Sequence, residues 1–329
     1  MAVDRQTYEA VAIAAIARYS GCSGTPSLLS LSENATYRVG RNDATAVLRV
    51  HRPGYHTKAQ IESELTWAAN MHAAGAVNTA GVIASDARER VEVVSTPDGR
   101  VTCNCVMFEF LEGEEPPEDA IVREFERLGE VTARMHEFSR SWTPPERFHR
   151  LTWDFDTTLG GRPHWGRWRD GRGVDADAAE ILQAAVTTIE RRLADYGQDA
   201  SRFGLVHADM RLANLLVTPT ETSVIDFDDC GFSWYMYDLA AALSFIEDRS
   251  DIGEAVDRWQ AGYARVATLD PDDVAIIPTM IMLRRILLVA WLGSHPTADL
   301  AADLGVPFTE TTCDLARAYL NSHHEENTR

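Results

Sequence analysis

His207, Asp209 and Asn214 stand as H-x-D-x-x-x-x-N, and shortly afterwards an apolar run at 223–225 leads into Asp226, Asp228 and Asp229. Asp238 then opens an apolar stretch with helical patterning. These residue types suit one chemistry. Phosphoryl transfer from a nucleotide asks little covalent work of a protein. It needs a carboxylate that orients or deprotonates the attacking hydroxyl, and oxygen ligands for Mg2+. Asp209 is the candidate carboxylate, and Asn214 and Asp226 are the candidate ligands.

The elements that must position these groups are short. Residues 204–206, 215–217 and 223–225 are brief β-prone runs bounded by turn residues, with the TPTE stretch 218–221 as the turn between the last two. Loops leaving neighbouring strands would then carry the three oxygen-bearing side chains. The spacing resembles the catalytic loop and metal-binding aspartate of the protein-kinase fold. HADMRLAN and IDFDD more closely resemble the aminoglycoside phosphotransferase and choline kinase-like family, in which the loop reads H-[GA]-D-x-x-x-x-N and the metal segment I-D-[FW]. The D-F-D-D run is similar to the homoserine kinase-like and bacterial stress-response kinase subgroup, and the resemblance spans roughly residues 27–245.

The resemblance implies an α+β, bilobal protein-kinase-like fold. A small, mainly antiparallel β lobe with a helix would occupy 1–111, and a larger α-rich lobe 112–329. It implies ATP and Mg2+ as cofactors, Asp209 as the group that takes the hydroxyl proton late, His207 as a brace of the loop and Asp238 as its buttress. Asn214 and Asp226 would hold the metal, while one of Asp228 and Asp229 would touch metal or substrate. Ala208 occupies a position where many relatives have glycine, which the loop tolerates if φ there is negative.

The N-terminal part carries weaker signals that acquire meaning from this company. Residues 28–39 read as strand, turn, strand without a glycine-rich loop. The polar turn S-E-N-x-x-Y-x-V matches the family instead, with Ser32 and Asn34 as hydrogen-bond donors to phosphate. The next strand presents Arg49 where many relatives have lysine to reach the α- and β-phosphates. Arginine can make a forked contact there, with altered geometry. A helix over 58–73 supplies the carboxylate that fixes this cation: Glu64 is the choice and Glu62 the runner-up. A hairpin around the turn 96–99 ends in VMFEFLEG, which resembles the linker whose backbone meets the adenine edge, here at Glu109 and Leu111. The acid- and proline-rich stretch 112–119 marks the boundary.

Composition limits the partners. A 329-residue chain with 45% hydrophobic residues can bury a sizeable core. A net charge of −19 argues against nucleic acid and anionic membranes and favours cationic substrates, though an acidic surface also serves solubility alone. Five scattered cysteines show no zinc spacing. Cys103 and Cys105 alternate within a strand-like run and read as core thiols, in keeping with a reduced, cytoplasmic enzyme. The most apolar stretch, 274–292, carries Pro278, Arg284 and Arg285 and reads as a buried helix whose arginines pair with acids across helix contacts, not as a membrane span. His136 reads as a packed residue on a long helix over 121–139.

The segment 151–173 sets Trp153, Trp165 and Trp168 among Asp154, other charges and glycines. Exposed aromatics beside carboxylates would form a pocket for a cationic acceptor; the same residues would equally pin a long loop to the C-terminal lobe. Three functions fit the whole chain. The leading one is ATP-dependent transfer to the hydroxyl of a small molecule such as an amino alcohol, an aminoglycoside or a sugar. The same site could serve a Ser/Thr protein kinase of the stress-response type, although the short interval from Asp226 to Asp238 leaves little room for peptide docking. A catalytically silent nucleotide-binding regulator is the third, resting on the arginine at position 49. A homodimer is compatible with each.

Overall fold

A computed structural model of the chain describes residues 3–32, 34–117, 120–296 and 299–326. Glu33 of the expected phosphate turn and residues 118–119 of the expected boundary lie outside the described residues. The fold is mixed α+β, with an antiparallel sheet in the N-terminal region and helices dominating the C-terminal region. Two compact units are present. The first comprises Met1–Glu114, Pro144–Arg150 and Leu216–Asp228, and the second Glu115–Thr143, Leu151–Leu215 and Asp229–Arg329.

The first unit begins with α1 (Arg5–Ile16), started by Asp4, whose side chain accepts the Thr7 N–H at 2.8 Å. Then come β1 (Cys22–Leu31), β2 (Ala35–Arg41), β3 (Ala44–Val50), α2 (Lys58–Ala73), β4 (Val82–Ile83), β5 (Glu92–Ser95) and β6 (Thr102–Glu109). The sheet runs β1-β2-β3-β6-β4, with β5 also paired to β6, and every pairing is antiparallel. Strand alternation sorts the side chains. Tyr37, Val39, Leu48, Val50, Cys105 and Met107 face α1 and bury with Tyr8, Val11 and Ala15. Val106 and Phe108 point the other way, onto Ile61 and Leu65 of α2. A capping box between Thr57 and Gln60 starts α2 and so fixes where Glu64 falls.

One later segment, Leu216–Asp228, joins this unit because strand bonds tie it there. After β9 (Leu215–Val217), β10 (Thr222–Val224) donates from the Val224 N–H to the Asn78 carbonyl at 2.9 Å, and Asn78 Nδ2 donates to Ser223 Oγ at 2.7 Å. That bond carries Asp226 and Asp228 into the first unit.

The second unit holds α3 (Ile121–Ser141), β7 (Leu151–Thr152), α4 (Phe155–Thr158), α5 (Ala176–Tyr196), β8 (Phe203–Val206), β11 (Gly231–Trp234), α6 (Tyr237–Ala242), α7 (Ile252–Tyr263), α8 (Pro271–Ser294) and α9 (Asp299–Glu326). A small sheet orders β7-β11-β8, β11 pairing parallel to β7 and antiparallel to β8. The β7 and β11 strands are too short for a sequence pattern to declare. Helix α9 is broken at Gly305, where φ is 52° and Pro307 follows. Helices α3 and α7 touch backbone to backbone: a Cβ at Gly129 would lie 2.0 Å from the Trp259 carbonyl oxygen, and one at Gly262 would lie 1.8 Å from that of Glu126. Helix α8 is long and apolar enough to span a bilayer, yet 72% of its most apolar window is buried inside the protein.

Candidate active site

In the first unit the chemistry gathers around Arg49. β3 delivers this side chain, buried at 7% exposure, to the carboxylate of Glu64 on α2, with which it forms an ion pair through Nη2. Glu64, not Glu62, is therefore the partner; Glu62 pairs with Arg90. Arg49 Nη1 lies 3.4 Å from Asp226 Oδ1, and its Nε donates to His51 Nε2 at 3.3 Å. The Phe108 ring lies under the guanidinium, 5.1 Å from its carbon. Burial works against the charge, but Glu64, Asp228 and Asp226 outweigh it and raise the Arg49 pKa. A guanidinium has five N–H donors, so three neighbours leave some to meet an incoming anion.

Asp226 itself is half exposed, its side chain 50% accessible, on a backbone held at φ 60°. Asp228 differs completely. Its side chain is buried, Oδ2 accepts the Asn34 amide at 2.9 Å, and Oδ1 lies 3.2 Å from His51 Nδ1. Its main-chain carbonyl accepts from Arg150, which also donates to the Gln60 carbonyl at 3.2 Å. Burial alone would raise the Asp228 pKa, yet His51, Arg49 and His56 together hold it well below the ordinary carboxylate range. The expectation that Asp228 meets substrate is thus corrected: its oxygens serve an internal network. One N–H of the Asn34 amide donates to Asp228, and its oxygen accepts the Arg52 N–H at 3.0 Å. Ser32 is exposed, and its N–H closes the turn on the Asn34 carbonyl. At the end of β6 the Glu109 N–H is bonded to the Gly81 carbonyl at 2.8 Å.

In the second unit the centre is Asp209, on the loop after β8. Its Oδ1 lies 3.2 Å from Arg284 Nη2 and 3.2 Å from Arg211 Nε, and its Oδ2 accepts the Asn214 amide at 3.0 Å. Burial raises the Asp209 pKa, but Arg211, Arg284 and His207 pull harder, so the carboxyl sits below its ordinary value and stays ionised. Asp238, at the start of α6, accepts the His207 N–H at 3.1 Å and the Ala208 N–H at 2.7 Å. It also meets His136 Nε2 at 3.0 Å, while His136 Nδ1 lies 3.0 Å from the Tyr263 hydroxyl. These bonds hold Ala208 at φ 64°, so the condition of a negative φ, under which alanine is easily tolerated, is not met. His207 is buried, and its Nδ1 accepts the Asp209 N–H at 3.3 Å.

The three tryptophans, for which an exposed pocket and a pinned loop stood as equal expectations, are buried: Trp153 at 0%, Trp165 at 5% and Trp168 at 4%. Trp153 Nε1 donates to the Asp229 carbonyl at 2.8 Å, and Trp165 stacks edge-on against Trp153 with centroids 5.1 Å apart. The cation over Trp165 is the protein's own Arg284, 5.0 Å away, and Trp168 lies under Arg169. Asp154 caps α4 through a capping box with Thr157. The loop-pinning alternative describes these residues; an open aromatic pocket does not.

Three residues went unrecognised in the sequence: His51, Arg150 and the role of Arg284. The available signal for the last was two adjacent arginines inside the most apolar helix, a placement that needs a buried partner. One of them, Arg285, pairs with Glu247 at 2.6 Å, but Arg284 pairs with Asp209 itself.

In the second unit the Asn214 amide nitrogen faces Asp209 through bonds of 2.7 and 3.0 Å, which turns its oxygen away as a neutral oxygen donor. In the first unit Asp226 offers a half-exposed carboxylate, a hard oxygen donor of the kind divalent ions take. Among the described residues no three of His, Cys, Asp and Glu gather as a metal cluster.

Comparison with known proteins settles the family. The model of the phosphotransferase enzyme family matches residues 27–271. The chain belongs to this family. It is a phosphotransferase, as the resemblance implied. A solved microcompartment-associated aminopropanol kinase is 42% identical, with a TM-score of 0.87 over 95% of this chain and 97% of that one. Amicoumacin kinase of Bacillus subtilis (strain 168) is 26% identical over 305 residues, 89% of this chain and 86% of the relative. An amicoumacin kinase solved with AMP-PNP, Ca2+ and Ami has a TM-score of 0.75 at 21% identity, over 95% of this chain and 94% of that one. It shares the fold, and it holds a nucleotide analogue together with a divalent ion.

Proposed function

We propose that this phosphotransferase moves the terminal phosphate of ATP to the hydroxyl of a small amino alcohol in the cytoplasm. The observation that carries the reading is Asp209: an ionised carboxylate, fixed by Arg211, Arg284 and Asn214 on a loop that Asp238 braces. A carboxylate of depressed pKa is a weak base. That is sufficient for a loose transition state, in which the hydroxyl needs orientation first and loses its proton late. Arg49, steadied by Glu64, meets the phosphates, and His207 keeps the loop in register. Asn214 and Asp226 would be the residues that hold Mg2+, which would supply charge neutralisation for the phosphates.

The aminopropanol kinase, named for an amino alcohol, supports the acceptor class, and a net charge of −19 favours a cationic one. Between Asp226 and α6 only the short strand β11 intervenes, which speaks for a small acceptor over a peptide. The free thiols of Cys22, Cys103, Cys105, Cys230 and Cys313 are consistent with a reducing compartment. The test is a panel of aminopropanol, ethanolamine, choline, an aminoglycoside, a sugar and a generic protein, each incubated with ATP and Mg2+. Mass spectrometry should find the phosphomonoester of an amino alcohol as the best product. Transfer to protein alone would overturn the acceptor class, and nucleotide binding without any transfer would favour the silent regulator.

A further inference from the structure

Arg49 poses a problem that its pairing with Glu64 does not solve. A guanidinium is a planar fork whose three nitrogens must all be oriented, whereas an ammonium is a point charge that one carboxylate can anchor. Glu64 takes Nη2 and Asp226 lies beside Nη1, but Nε, the nitrogen nearest the stem, needs its own acceptor. The acceptor is His51 Nε2, at 3.3 Å. His51 stands two residues along the strand direction from Arg49, on the same face, and is 1% exposed.

The tautomer follows from that bond. Nε2 accepts, so a neutral ring carries its proton on Nδ1, and Nδ1 lies 3.2 Å from Asp228 Oδ1. Asp228 is in turn immobilised. Asn34 donates to its other oxygen at 2.9 Å, Arg150 binds its main-chain carbonyl, and the side chain is buried. A chain of close polar contacts therefore runs from the turn residue Asn34 through Asp228 and His51 to the Nε of Arg49, wholly within the first unit. This also explains why an acidic residue is buried at Asp228, a position the phosphotransfer chemistry does not otherwise use.

We infer that His51 is a positioning residue that fixes the guanidinium plane of Arg49, so that an arginine can serve the nucleotide phosphates. The inference rests on the phosphate-binding role proposed for Arg49. It makes a selective demand: His51 matters only when residue 49 has an Nε–H to donate. Lysine has no such donor, so its ammonium makes no use of the ring.

The test is a double-mutant cycle on the full chain, with Mg·AMP-PNP affinity measured by calorimetry and steady-state kinetics measured alongside. His51→Phe should weaken nucleotide binding about tenfold and raise the KM for ATP while leaving the acceptor KM within about twofold. His51→Gln, whose side-chain oxygen can accept the same bond, should recover most of the loss. In the Arg49→Lys background His51→Phe should change affinity less than about twofold. Equal losses from His51→Phe in both backgrounds, or no recovery with Gln in a protein whose melting temperature is unchanged, would overturn the positioning role. Should Arg49→Lys and Arg49→Met both bind nucleotide as well as the unaltered chain, the phosphate role of Arg49 fails, and the inference with it.

Discussion

The loop bearing Asp209 is held in a conformation that its own residues do not favour. Ala208 sits at φ 64°, where an L-residue costs roughly 1–2 kcal/mol, and two N–H bonds to the buried Asp238 impose it. Replacing Ala208 by glycine relieves that cost but removes a buried methyl group worth about 1 kcal/mol, so the two effects nearly cancel. Ala208→Gly should therefore leave unfolding free energy within about 1 kcal/mol, whereas Ala208→Val should cost more than about 2 kcal/mol because a β-branched residue resists positive φ and has no room. Chemical denaturation of both variants checks this; a tolerated valine would show that the loop can relax out of its present conformation. The strain has a use. It aims the Asp209 carboxylate while the ion pairs with Arg284 and Arg211 keep it charged.

At the scale of elements, long patterns were legible and short or long-range ones were not. The helices α2 and α5 announce themselves by apolar spacing and polar caps, α3 by apolar spacing alone, and the strands β2, β3 and β6 by alternation; the pairing of Arg49 with Glu64 came from the family resemblance. The HADMRLAN and IDFDD stretches were legible because their spacing is local. What sequence could not show was burial at a distance. Asp228 looked like a second metal or substrate carboxylate until His51, Asn34 and Arg150 were seen closing around it. The tryptophan-rich segment looked like an exposed pocket because aromatic residues beside charges read alike whether they face solvent or core. Its arginines and aspartates turn outward or cap helices, while the indoles turn inward. Helix α8 carries the same lesson. Arg284 and Arg285 are neighbours in sequence, yet they leave the helix toward different partners, one to the Asp209 loop and the other to Glu247 and the Thr311–Thr312 turn of α9.

For the molecule as a whole, buried histidines set how stability depends on pH. Burial pushes the His56 imidazole down to about 4 against the pull of Asp228, and burial likewise holds His136 below its ordinary value despite Asp238. Both folded-state values are depressed, so the unfolded chain binds these protons at higher pH than the folded one. The stability that neutral histidines permit is fully present above about pH 6.5 and is lost as pH falls toward 4. His56 alone should cost about 2 kcal/mol between pH 7 and 5. Denaturation midpoints measured at the two pH values should fall accordingly. The fall should be smaller in His56→Leu, and an equal fall in both proteins would remove His56 as its source. Asp209 and Asp228, with carboxyls depressed below the ordinary range, add their loss only at still lower pH.

The proposed chemistry turns on one carboxylate. Asp209→Asn keeps the shape of the side chain and removes its charge and basicity. The decisive measurement is transfer to the best amino alcohol by this variant, with Mg·AMP-PNP affinity determined on the same protein. The account predicts a fall in kcat of at least about a thousandfold with nucleotide affinity within about threefold of the unaltered chain. Turnover within about tenfold of the unaltered chain would contradict it, because the hydroxyl would then be oriented and deprotonated by some other group.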